Sequence, residues 1–288
     1  MTPILYAPES MPELAGCLGK LTPAGKILAG GTDLVIQLNK GACSPDALLC
    51  LRDIERLREV RQTDEGIEIG AMATIAELAG NPLLTGPYTA LRHAATGVGS
   101  VQVRNTATIG GNIANASPAG DIAPALVLLG AETIIAGPDG LRRVPVEQVT
   151  TGSGKTSLAY NEAIVQFVLP GSISAATRTA FVKLGFRSVL SVSRIGLALR
   201  LDLDKEGIIT AAVVVAGAIA PTPVHVNQAE HFLIGKKPVL ETAVEVGRLL
   251  SALILEITPE LFDRDYKVEA AYGVAEDAFN KIEEGTIL

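Results

Sequence analysis

The apolar positions of this chain follow two regimes. As far as Pro170, short apolar runs and helical patterns are punctuated by glycine and proline; beyond it the runs lengthen and alternate. In the first regime Ser10 is a helix N-cap with Glu13 three residues on and Leu14 and Leu18 on one face. Lys26–Ala29 reads as a short strand running into Gly30-Gly31, after which Thr32 or Asp33 caps a helix carrying Leu34, Val35 and Leu38 and ended by Gly41. Ala47–Leu51, Gly66–Gly70, Thr133–Ala136 and Ala163–Pro170 read as strands, and Ile54–Val60 as a turn or short helix. Thr74 and Glu77 form a second capping pair, Tyr88–Thr96 is helical, and Asp121 caps Ile122–Leu129 with Pro124 in its first turn. In the second regime Ala180–Phe186 is a strand, and Leu197, Leu199, Leu201 and Leu203 alternate up to the turn Asp204–Gly207. Ile208–Ile219 returns to close a hairpin, and helices over Val239–Leu255 and Tyr266–Ile282 follow. The pattern predicts an α+β protein whose last part is a β-sheet covered by helices, with a lobe boundary near Gly171–Ser174.

Composition narrows the functions. A net charge of −7 leaves no electrostatic footprint for nucleic acid or an anionic membrane. No apolar run approaches the roughly 20 residues a membrane helix needs, and the first residues carry no signal-peptide pattern, so a cytoplasmic protein is expected. Cys17, Cys43 and Cys50 cannot supply the four thiolates of an ordinary iron–sulfur cluster, so any such centre belongs on another chain. His93 reads as structural, and His225 and His231 lack a third ligand for a metal. Gly152-Ser153-Gly154-Lys155-Thr156 is not a phosphate-binding P-loop, because Val149 stands where its first glycine is required; it reads as a solvated loop.

Two glycine stretches carry the candidate chemistry: Ala29-Gly30-Gly31-Thr32-Asp33 and Thr108-Ile109-Gly110-Gly111-Asn112, the latter continuing through Ala116-Ser117-Pro118 to Asp121. Paired glycines let backbone N–H groups converge without Cβ interference, and a helix start downstream adds donors for an anion. Two such places suit a ligand with two phosphates. Neither has the third glycine of the usual dinucleotide fingerprint.

In both stretches the sequence resembles the FAD-carrying medium subunits of molybdenum hydroxylases, the family of carbon monoxide dehydrogenase medium chains and of the flavin subunits of nicotinate and xanthine dehydrogenases. The entry Tyr6-Ala7-Pro8-Glu9-Ser10, the loop Gly154-Lys155-Thr156, Leu169-Pro170 and Ala220-Pro221-Thr222-Pro223 extend the likeness over nearly the whole chain. The resemblance implies a two-part FAD-binding domain of the vanillyl-alcohol-oxidase (PCMH) type over 1–172, with parts of about 1–55 and 56–172. A smaller α+β domain of the CO dehydrogenase flavoprotein type would cover 173–288. It implies that Ala29, Gly30, Gly31, Thr32, Asp33 and Leu34, with Thr108, Ile109, Gly110, Gly111 and Asn112, wrap the FAD pyrophosphate through backbone amides. Ser117 and Thr108 would donate hydroxyls, and Asp121 would accept from a ribose hydroxyl or fix its loop. Val98, Ile164 and Lys183 would line the adenine and flavin; read without the resemblance, the first two are core and Lys183 is surface charge.

The activity implied is electron transfer, with no catalytic acid, base or nucleophile in this chain. A molybdopterin large subunit would oxidise the substrate. A small subunit with [2Fe-2S] clusters would deliver electrons to FAD here, and an external acceptor such as NAD would take them, in a dimer of heterotrimers. The alternatives are a stand-alone flavin-dependent oxidase, for which the motifs lack a His or Cys tether, and a non-enzymatic nucleotide-binding module. Three departures stand out: His225 and Lys267 where relatives commonly carry arginine, and Asp277 near a frequent basic position. They are expected to bear on partner contacts more than on flavin binding.

Overall fold

A computed structural model of the chain describes residues 2–187, 191–258 and 262–284. Helices and mainly antiparallel sheets combine as an α+β protein. The chain gathers into two compact units, each assembled from three segments. The first takes the chain as far as Glu77, then Ser100–Ala116 and Gly130–Gly171. The second takes Leu78–Gly99, Ser117–Leu129 and the residues from Ser172 onward. Residues 78–99 and 117–129 thus pack with the C-terminal part of the sequence.

The first unit holds a small parallel sheet in the spatial order Ile4–Tyr6, Ala47–Cys50, Lys26–Leu28. The helix Met11–Leu18 starts at the expected box: Ser10 Oγ accepts from Glu13 N at 3.4 Å and Glu13 Oε2 accepts from Glu9 N at 3.0 Å. Its inward Leu14 and Leu18 are fully buried, each stabilising by roughly 1.5–3 kcal/mol. They pack with Leu49, Leu57, Met72 and Val165. A five-stranded antiparallel sheet runs Val60–Thr63, Gly66–Gly70, Ala163–Pro170, Glu132–Gly137, Gly140–Pro145. Its central strand is buried almost throughout and ends, as its proline predicts, at Pro170 opposite Gly66.

The second unit contains the predicted hairpin. Ser193–Leu203 pairs with Ile209–Gly217 and, on its other side, with Thr177–Gly185, while Val224–His225 closes the far edge. The turn holds because Asp204 Oδ1 accepts from Glu206 N and Ile208 N at 2.9 and 2.8 Å, and Gly207 supplies φ +75°. Leu197, Leu199 and Leu201 are fully buried, as period-two alternation requires. They share one core with Val246, Leu250 and Ile254 of helix Leu240–Ile257 and Val274 and Ala278 of helix Arg264–Glu284. These helices touch through Gly247, where a Cβ would lie 2.7 Å from the Cα of Tyr272. Helix Thr89–Gly97 is tied to the sheet by Thr179, whose hydroxyl accepts from Ala90 N and donates to the carbonyl of Pro87.

Local structure differs from expectation at three points. The carboxylates of Asp33 and Asp121 precede their helices without capping them. The Gly-Lys-Thr segment is a two-stranded hairpin, Thr150–Gly152 with Lys155–Thr156, turned at Gly154 with φ +63°. The second glycine pair lies inside a helix, Ile109–Asn115.

Two outcomes are expected. Gly247→Val, which forces the two long helices apart, should cost about 1–3 kcal/mol in the unfolding equilibrium measured by denaturant titration. His93 has Nδ1 buried with no partner among the described residues, and burial, then the charges of Lys281 and Arg92, hold its ring down at about 4. Because that value lies below the unfolded one near 6.5, the stability involved is complete above pH 6.5 and is lost as pH falls toward 4. Allowing for partial exposure, wild type should lose about 1–2 kcal/mol across that window that His93→Gln does not lose, read from unfolding midpoints against pH.

Candidate functional site

Accounting for backbone N–H groups distinguishes the two glycine stretches. The strand Lys26–Leu28 hands the chain to Ala29-Gly30-Gly31, where Gly31 takes φ +73°, and the helix Leu34–Asn39 begins at once. Carbonyls here are engaged: Val35 N donates to Gly31 O at 3.0 Å and Gln37 N to Asp33 O at 3.1 Å. Among the described residues, however, no acceptor takes the N–H of Gly30, Gly31, Thr32, Asp33 or Leu34, and the Asp33 carboxylate caps none of them. Such a run of open amides, at a turn with a left-handed glycine, has the donors an anion needs.

The second stretch is the reverse. Thr108 caps the helix Ile109–Asn115, its Oγ1 accepting from Gly111 N at 3.1 Å. Ile109 N donates to Ala73 O at 3.0 Å, Gly110 N to Ala71 O at 2.9 Å and Asn112 N to Thr108 O at 2.9 Å. The amides of Ile109 to Asn112 are therefore occupied within the protein, and the expectation that they aim at phosphate is corrected for them. What these glycines provide is proximity. A Cβ on Gly110 would stand 2.7 Å from the Cβ of Ala71, and one on Gly30 would collide with the carbonyl oxygen of Thr106. Gly111 faces Ala29, its Cβ position 3.7 Å from that of the alanine.

Where the stretches meet, Ala29, Gly110, Gly111 and Ile164 line one apolar slot with Ile27, Leu51, Ala71 and Leu158. Its volume is about 90 Å³, well under the 300–1,000 Å³ of a drug-sized pocket, so it takes one ring or ribose rather than a dinucleotide. Just past the helix, Ala116 adopts a left-handed φ of 49° and its carbonyl accepts from Gly154 N at 2.9 Å. The Gly-Lys-Thr hairpin therefore braces the motif, where the sequence alone reads as a solvated loop.

In the second unit Lys183 and Asp121 meet. Lys183 Nζ donates to Asp121 Oδ2 and Gly97 O, both at 2.7 Å, and to Ser191 O at 3.1 Å. Ser193 Oγ donates to Asp121 Oδ1 at 2.5 Å. Asp121 is buried and Lys183 mostly so, which corrects the surface-charge reading of the lysine. With both oxygens held, Asp121 fixes its loop, and its charge is compensated 2.7 Å away. Val98, half-buried, follows directly on Gly97 at the end of helix Thr89–Gly97. Ser117 is exposed with no partner for its hydroxyl among the described residues. Two of the sequence departures are held by internal partners: the part-exposed His225 has Nδ1 2.8 Å from Glu230 Oε1, and buried Lys267 donates to Ala218 O at 2.8 Å. The third, Asp277, is exposed. Among the described residues no group of three His, Cys, Asp or Glu could hold a metal.

Open amides beside an apolar slot, carried on an α+β scaffold without a metal cluster of its own among the described residues, define a binder of a phosphorylated ring cofactor. The sequence matches the family model described as the FAD binding domain in molybdopterin dehydrogenase over residues 2–172, and the CO dehydrogenase flavoprotein C-terminal domain over 180–282. The chain belongs to this family of FAD-binding oxidoreductase subunits. It is 31% identical to the nicotinate dehydrogenase FAD-subunit of Eubacterium barkeri over 280 residues, 95% of this chain and 94% of the other. Its fold matches quinoline 2-oxidoreductase from Pseudomonas putida 86 with a TM-score of 0.89, covering 100% and 99% of the two chains at 25% identity. It matches a carbon monoxide dehydrogenase from Hydrogenophaga pseudoflava lacking the Mo-pyranopterin moiety of its molybdenum cofactor with a TM-score of 0.87, covering 99% of each at 28% identity.

The residues present fit FAD: neutral amides for phosphates in an acidic chain, and a slot of ring or ribose size. Gly30→Ala, which must push the first stretch away from Thr106, should abolish FAD retention through purification, read as flavin absorbance per protein. Gly16→Ala, in a helix with nothing within 4 Å of the new Cβ, should leave retention unchanged and stabilise by about 0.4–1 kcal/mol.

Proposed function

We propose that this chain is the electron-transfer subunit of a multi-subunit molybdenum hydroxylase, working between an iron–sulfur small subunit and an external acceptor such as NAD. A molybdopterin large subunit would carry out the oxidation, and the whole would be a cytoplasmic dimer of heterotrimers. The observation that carries this reading is the run of open amides from Gly30 to Leu34, set against the second glycine stretch in a chain of the FAD-binding family. When bound, FAD supplies the ability to take electrons singly and release them in pairs. The chain's own residues bind and orient. The amides of residues 30–34 would hold the phosphates, and Ile164 and Ala29, which line the slot, would enclose a ring or ribose. Thr108 and Asn112 shape the second stretch beside them, and Ser117 offers its hydroxyl. Asp121 and Lys183 hold their loop, with Val98 adjoining, for the rest of the cofactor. The family models' extents support a division into 1–172 for FAD and 173–288 for the C-terminal domain. Among the described residues no helix is long and apolar enough to cross a membrane.

The test is purification of the chain with its native partners and alone. A two-banded flavin spectrum, FAD released by acid, and iron and molybdenum in the complex but not in the isolated chain are expected. Gly111→Asp, which puts a carboxylate beside Ala29 at the cradle, should lose the flavin while the complex still assembles. Flavin reduced by the complex's substrate only when the iron–sulfur subunit is present would support the electron path. Its reduction in the absence of that subunit would overturn it.

A further inference from the structure

Lys267 is the buried cation whose position the flavin site does not explain. Only 5% of it is exposed, on helix Arg264–Glu284, and its nearest acceptor is the Ala218 carbonyl at 2.8 Å. Burial pushes its ammonium below the ordinary lysine value, offset in part by Asp263 at 3.6 Å. Ala218 is one of two non-glycine residues with positive φ among those described, at +61°, a conformation costly for an L side chain. Its N–H donates to the Pro118 carbonyl at 3.2 Å, and a Cβ on neighbouring Gly217 would lie 3.0 Å from Cγ of Pro124. The strained corner thus abuts both sides of Asp121. The contacts continue around it: Asp263 pairs with Arg194 at 2.9 Å, and Ser193, next to Arg194, donates to Asp121.

We infer that Lys267 is a positioning residue for flavin binding: by donating to the Ala218 carbonyl while held beside Asp263, it locks Ala218 in the left-handed conformation that holds the Ser117–Asp121 loop. This rests on the proposal that Ser117–Asp121 contacts the cofactor. Within that loop and the helix start after it, no acceptor among the described residues takes the N–H of Ser117, Ala119, Asp121, Ile122 or Ala123. A loop of open amides is useful to a ligand only when held in place, and Lys267 supplies the hold from a helix far along the sequence.

The test is a cycle of variants in the full chain. Lys267→Met should weaken FAD binding to the apoprotein about tenfold or more, read by quenching of flavin fluorescence, and speed hydrogen exchange of the two bonded amides that hold the loop, Ala218 N–H on the Pro118 carbonyl and Gly120 N–H on the Ser117 carbonyl. Adding Ala218→Gly, which accepts the left-handed φ without strain, should restore most of both, and Lys267→Arg should keep the affinity. If Lys267→Met does not fold, the double variant should. Unchanged affinity and exchange in Lys267→Met, or a double variant that is no better than the single, would sink the inference. If wild type itself takes up no FAD, the functional reading fails, and the exchange rates still decide the role of Lys267.

Discussion

Backbone running against backbone, with no side chain between, is the constraint on which the first unit depends. Gly30 lies against the Thr106 carbonyl and Gly110 against Ala71, each nearer than a methyl group allows. From these two contacts the rest follows. The helix Ile109–Asn115 gives its first amides to the carbonyls of Ala71 and Ala73 and becomes a fixed wall. The loop after Lys26–Leu28 is pressed onto the segment preceding that wall, so its amides stay open without the loop collapsing to satisfy them. Residues 30–34 are part-exposed and lead into a helix, so their amides face water and are available to an anion. One glycine stretch is the anvil and the other the grip.

Charge is handled by the same separation of roles. A chain of net charge −7 repels phosphate at long range, and no cluster of lysines offsets this in the first unit's cradle. In the proposed site the open amides of residues 30–34 would do so locally, with their partial charges within hydrogen-bond reach of a phosphate. In the second unit the carboxylate at Asp121 would oppose an anion if left bare. Lys183 compensates it, and three acceptors around the ammonium leave little freedom to either group. A buried pair of this kind contributes fixed geometry more than net stability, which suits a loop that must hold one shape.

What could be read from the sequence was what is local. The capping boxes at Ser10–Glu13 and Thr74–Glu77 formed as expected because each partner lies within one helical turn. The Leu197–Leu201 alternation and the Asp204–Gly207 turn likewise determine their hairpin without distant help. The two glycine stretches were recognisable too, but not their different roles. Thr108 and the Ala71–Ala73 carbonyls take the second set of amides, and the Ala71–Ala73 partners are some 35 residues away or more in sequence, where no pattern signals them. Lys183 looked like surface charge because its carboxylate lies 62 residues earlier. The interleaving of residues 78–99 and 117–129 with the C-terminal sheet is a matter of tertiary packing, which periodicity does not encode.

The departures from the family pattern show how position decides what a substitution means. An arginine-to-lysine change on a surface alters a partner contact; in an interior it alters which atoms the cation can reach. Lys267 is interior, and its compact ammonium directs one bond to the Ala218 carbonyl while sharing Asp263 with Arg194. A guanidinium there would bring a planar fork of donors to the same two acceptors, with Asp263 still shared with Arg194. That arginine also lies over the ring of exposed Phe186 at 3.7 Å, so the choice of cation at 267 reaches the surface through Asp263. His225, part-exposed, is paired with Glu230, whose Oε1 also accepts from Val214 N. Of the three departures Lys267 alone is buried; Asp277 and part of the His225 ring face solvent, where a neighbouring subunit would meet them.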